Sequence, residues 1–147
     1  KDHASRETCV NFYVSQVDAI NNWDLVDLSC YKILGHWLFD KDKQLLYDWA
    51  KENHLWKQRI AMISCMHFVK QGEFKDALAI ADLLQHHPHD LIHKAVGWIL
   101  REIGKENEQL LVDYLTPRYK KMPRTMLRYA IERFEEGKRK AFLNSMI

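Results

Sequence analysis

The sequence predicts an all-α fold built from stacked helix pairs, and three observations carry that prediction. Turn residues are scarce, with only 5 Gly and 3 Pro in 147 residues, whereas an all-β domain needs a turn signal about every 8 to 12 residues. Apolar residues recur at spacings of three and four along most of the chain, the periodicity of an amphipathic helix. The longer helices themselves recur: their starts fall near Asp24, Leu55, Asp90 and Pro123, a period of about 31 to 35 residues with a shorter helix in between. Such a period indicates an α-solenoid, in which each pair buries its apolar face only by stacking on its neighbours.

The elements follow in order. Residues 1–20 form a partial unit with a stripe of Val10, Tyr13, Val14 and Val17. Residues 24–38 carry Val26, Cys30, Ile33 and Trp37 on one face, widened by Leu34 and Leu38. Long stripes continue through 60–69, 91–103 and 126–134, and shorter helices are expected at 43–51, 73–84 and 106–115. Breaks are expected at Asn53, Gly72, Pro88, Gly104 and Pro117. A hydrophobic content of 47% suits a single domain over 1–147 with one core. No apolar run approaches the roughly 18 residues of a membrane span, and the N-terminus is not signal-like, so a soluble, unsecreted, cytoplasmic protein is expected. Cys9, Cys30 and Cys65 are an odd number at wide spacing and are expected as reduced core residues.

Chemistry-bearing residues are few. In Asn22-Trp23-Asp24-Leu25-Val26-Asp27, Asp24 suits a helix N-cap, Asp27 completes an acidic capping pattern and Trp23 staples onto Leu28. A carboxylate held at a helix N-terminus stays ionised, which suits stabilising a cation better than transferring a proton. Trp98 sits on a helix border one turn from Lys94 and Arg101, compatible with ordinary packing or with a sugar-phosphate contact. Arg59, in the first turn of another long helix beside Trp56, suits a surface carboxylate or a phosphate. Net charge is only +2, yet residues 118–140 hold nine basic residues, including Arg124 and Arg128, against three acidic ones. That concentration suits either a solvated face or a phosphate-binding surface. His86, His87, His89 and His93 with Asp90 straddle Pro88 without a paired-ligand motif, so no metal is expected, and no cofactor motif is present.

Taken together, Asn22-Trp23-Asp24-Leu25-Val26-Asp27, Trp56-Lys57-Gln58-Arg59-Ile60-Ala61 and His93-Lys94-Ala95-Val96-Gly97-Trp98-Ile99-Leu100-Arg101 resemble, in order, the DNA alkylation repair glycosylases of the AlkD type. The resemblance covers roughly residues 21–134. It implies a superhelix of HEAT-like repeats that removes cationic N3- and N7-alkylated purines from duplex DNA without flipping the base. It further implies Asp27 as the catalytic carboxylate, Trp23 and Trp98 against the sugar of the damaged nucleotide, and Arg59 on a backbone phosphate. Lys94, Arg101, Arg124 and Arg128 are the expected further DNA contacts. A monomer acting in base excision repair, bacterial and nucleoid-associated when bound, is expected, without metal or cofactor. Family members carry further helices before the Trp-Asp motif, so part of the DNA cradle is expected to be missing. A non-catalytic repeat protein recognising damaged or branched DNA, and a protein-binding solenoid, are the alternatives.

Overall fold

The computed structural model describes residues 7–12 and 31–144. Residues 7–12 are helical. A π-helical turn, Tyr31–Gly35, runs into α1 (His36–Leu38). There follow α2 (Gln44–Lys51), α3 (Leu55–Lys70), α4 (Lys75–Leu84), α5 (Asp90–Glu106), α6 (Glu108–Leu115), α7 (Arg124–Ala130) and α8 (Glu136–Leu143). Among the described residues no strand occurs.

Two layers emerge from the packing. The π-helical turn with α1, then α3, α5 and α7, pack in chain order, each on the next; α2 packs on α3 and α4, α4 on α3 and α5, and α6 on α5. Successive members of the first layer run the same way. The start of α3 meets the start of α5 where Arg59 donates to the Leu91 carbonyl, and further along Gly97 meets Met126 and Tyr129, then Arg101 meets Glu132. The starts of α3, α5 and α7, at Leu55, Asp90 and Arg124, keep the expected spacing.

Local chemistry sets the helix ends. His54 Nδ1 accepts the Lys57 N–H at 3.2 Å to cap α3, and His89 Nδ1 accepts the Leu91 N–H at 3.1 Å to cap α5. Asn107 Oδ1 caps α6 through the Leu110 N–H at 3.1 Å. The far end of α3 closes at Gly72, whose φ of 82° lies in the left-handed region. There the Glu73 N–H reaches the Phe68 carbonyl at 2.9 Å and the Gly72 N–H the Val69 carbonyl at 3.0 Å, the paired bonds of a Schellman motif.

α3 is the centre of the core. It is covered by neighbours on several sides, so its buried residues run from Gln58 to Val69 with only His67 interrupting, rather than along one stripe. Two glycines allow the first layer to close. A Cβ on Gly35 would collide with the Ser64 carbonyl, and one on Gly97 would lie 2.5 Å from Tyr129 Cβ and 2.7 Å from the Met126 carbonyl oxygen. At both places backbone must meet a neighbouring helix directly.

Several expectations are corrected. Gly104 lies inside α5 rather than breaking it, and the missing Cβ makes room for Leu111; the break falls at Asn107, which caps the next helix. α7 ends at Ala130, short of the expected Phe134, because residues 131–134 turn away. An additional helix, α8, forms within the basic stretch, held by Phe142 against Tyr119 and Phe134 at ring distances of 5.1 and 5.7 Å. Cys9 is exposed rather than in the core, Cys65 is buried as expected, and Cys30 lies outside the described residues.

Gly97 gives a test with an unambiguous sign. Helix propensity alone makes Gly97→Ala stabilising by up to about 1 kcal/mol. The close approach of α7 reverses that, and a loss of about 1 to 3 kcal/mol is expected by denaturant titration.

Candidate nucleic-acid interface

α5 separates its residues by face. Ala95, Val96, Gly97, Ile99 and Leu100 are buried, whereas Lys94, Trp98 and Arg101, spaced four and three apart, remain partly accessible along one edge. The indole of Trp98 packs on the core with part of its surface in solvent. Gly97 beside it is fixed by α7, so the helix border that carries the indole has a defined place.

The charges on this edge are held unequally. Lys94 Nζ lies 3.3 Å from Asp90 with its side chain 41% exposed. Arg101 is more confined: its guanidinium donates to Glu132 at 2.8 Å, from just beyond α7, and its Nε lies 4.0 Å from Glu102. α7 adds Arg124, which donates to the Leu143 carbonyl at 2.6 Å, and Arg128, which is exposed and forms no ion pair among the described residues. The rest of the basic stretch is partly neutralised. Arg118 pairs with Asp82 at 2.9 Å, Lys138 with Glu108 at 2.9 Å and Lys140 with Glu136 at 3.0 Å.

Arg59 is placed differently from an open phosphate contact. Only 4% of the residue is exposed, and its guanidinium donates to the Leu91 carbonyl in the first turn of α5. In this arrangement it ties α3 to α5. Trp56 is half-buried beside it. Trp23 and Asp27 lie outside the described residues.

The histidines expected as a loose cluster are instead working hydrogen-bond partners at the α4–α5 junction. His87 Nδ1 accepts the His89 N–H at 3.0 Å, which makes Nε2 the protonated nitrogen; that N–H donates to Gln58 Oε1 at 2.8 Å. Gln58, buried in α3, donates in turn to the Ala50 carbonyl at 3.4 Å. The His93 imidazole reaches back to the His87 carbonyl. Burial, with the neighbouring His89 and His93 imidazoles, pushes His87 below its ordinary value of 6.5. The roles of Gln58 and Glu132, and that of His87 as a hydrogen-bond bridge rather than a metal candidate, went unnoticed in the sequence. The one available signal was His-Pro-His-Asp directly before a long helix, where a histidine Nδ1 replaces the usual capping oxygen.

The fold and this edge define an all-helical protein whose long helices present a tryptophan flanked by cations. The chain belongs to the DNA alkylation repair enzyme family, whose model matches residues 1–134. No curated protein matches it. Family membership makes it a DNA repair enzyme with DNA as its substrate. Among the described residues no helix is long and apolar enough to cross a membrane.

The Arg101–Glu132 pair should orient more than stabilise, since Glu132 is 58% exposed. Glu132→Gln is expected to change unfolding free energy by less than about 1 kcal/mol in thermal or urea melts.

Proposed function

We propose that the chain is a monofunctional alkylpurine DNA glycosylase, hydrolysing the N-glycosidic bond of cationic N3- and N7-alkylated purines in duplex DNA without base flipping, on a solenoid of HEAT-like repeats. The observation that carries the proposal is the Lys94-Trp98-Arg101 edge of α5, in a chain of the alkylation repair family that also holds the Trp23-to-Asp27 motif.

The chemistry asks little of the protein. An alkylated purine is already cationic and leaves readily, taking the electron pair of the C1′–N bond and becoming neutral. The barrier lies in the positive charge that grows on the deoxyribose. A carboxylate about 4 Å from that charge, at an effective dielectric near 20, contributes on the order of 4 kcal/mol, or about a thousandfold in rate. Asp27 is assigned that role. Aromatic faces at Trp23 and Trp98 add attraction for the cationic sugar. A water held by Asp27 then bonds to C1′ and loses its proton to bulk water, leaving an abasic site. Because the base stays in the stack, no enclosing pocket is needed, in contrast to glycosylases that extrude it.

Lys94, Arg101, Arg124 and Arg128 are assigned to backbone phosphates. Arg59, enclosed between α3 and α5, needs a rearrangement at that junction to reach one.

Two outcomes are expected. Wild-type protein releases 7-methylguanine and 3-methyladenine from methylated duplex, and Asp27→Asn lowers that release by about a hundredfold or more with DNA affinity little changed, the pattern of a lost transition-state interaction. Release undiminished in Asp27→Asn contradicts the mechanism; salt-dependent binding without release by the wild type leaves a non-catalytic DNA-binding protein. In the same binding assay, Arg128→Ala lowers the slope of log affinity against log salt by about one.

A further inference from the structure

Three histidines along the edge where α3 and α5 begin use Nδ1 as an acceptor for a backbone N–H: His54 for Lys57, His87 for His89 and His89 for Leu91. Only a neutral imidazole can do this. His87 also bridges two elements, since its Nε2–H reaches Gln58 on α3. Gln58 precedes Arg59, whose bond to the Leu91 carbonyl is the second tie across the same junction.

We propose that His87, in its neutral Nε2–H form, is a positioning residue that fixes the first turn of α5 against the first turn of α3, and thereby the placement of the Lys94-Trp98-Arg101 edge on DNA. The inference rests on that edge being the DNA face.

Protonating His87 turns an N–H at Nδ1 toward the His89 N–H, so one hydrogen bond becomes a repulsive contact. The groups facing it are Gln58 from α3 and the His89 and His93 imidazoles from the loop and α5. Nearby charges are already matched, Asp90 with Lys94 and Glu52 with Lys57. No carboxylate is among the groups that shift His87, and burial and the two imidazoles all lower its proton affinity. Folding therefore favours the neutral ring: its contribution is fully present above 6.5 and is lost as pH falls through the lowered folded value.

The sign of the effect on DNA binding separates this inference from general electrostatics. Acid adds positive charge to a protein as a whole, which by itself tightens binding to a polyanion. The His87 contact predicts weakening. Binding of an undamaged labelled duplex is measured at constant ionic strength at about pH 7.5 and about pH 5, with thermal melts at both to identify folded protein. Wild type is expected to bind about tenfold more weakly in acid, the scale of one lost hydrogen bond. His87→Gln, which keeps a donor and an acceptor but does not titrate, is expected to bind like wild type at about pH 7.5 and to lose the acid weakening. Wild type that binds equally or more tightly in acid overturns the inference, as does acid weakening that persists in folded His87→Gln. Lys94→Ala and Trp98→Ala report on the underlying reading: if neither weakens binding at neutral pH, the DNA face itself is misplaced. A readout on wild type alone is the nitrogen-15 signature of the His87 ring, expected as Nε2–H at neutral pH; an Nδ1–H ring contradicts the geometry.

Discussion

The constraint on which the rest depends is direct backbone contact between neighbouring helical segments of the first layer at Gly35 and Gly97. A side chain at either position would occupy space already taken, by the Ser64 carbonyl in one case and by Met126 and Tyr129 in the other. Interaxial distance follows from the side chains at the contact, so glycine there brings α5 and α7 close and leaves little freedom to slide. Everything proposed for α5 is referred to that contact. Trp98 follows Gly97 immediately, and its exposure is a consequence of where Gly97 must lie.

Between α3 and α5 the tie is polar instead. Arg59, nearly enclosed, reaches the Leu91 carbonyl, and Gln58 and His87 bridge the same two segments. Buried polar groups of this kind are costly unless partnered, so they favour one arrangement of the junction over its neighbours. The side-chain bonds Tyr47 to Asp76, Gln58 to His87, Arg101 to Glu132, Arg59 to Leu91 and Tyr114 to Asp82 join residues 29 to 32 apart. That interval is close to the spacing of the long helices. These bonds therefore join each segment to one about a long-helix spacing further along the chain.

Much of this was legible in advance, for identifiable reasons. The starts of α3 and α5, at Leu55 and Asp90, were visible because the apolar stripe and its breaks are local signals. Trp98 was placed on a helix border because its neighbours one turn away are charged. What escaped is what depends on the next unit: the enclosure of Arg59, the capture of Arg101 by Glu132 and the use of Gly97 as a contact. Gly104 was misread as a break because a glycine that admits a neighbour looks the same in sequence as one that ends a helix. α8 was hidden because half of its residues are charged and Phe142 is its one fully buried anchor.

The central claim is that the accessible edge of α5 is the face that meets DNA, and side-chain footprinting tests it most directly. Hydroxyl-radical oxidation is compared with and without a methylated duplex. Trp98 on α5 and Leu83, exposed on α4 in the other layer, serve as the two reporters. The account predicts that DNA shields Trp98 and leaves Leu83 unchanged. Shielding of Leu83 with Trp98 unaffected would put DNA on the opposite layer and contradict it.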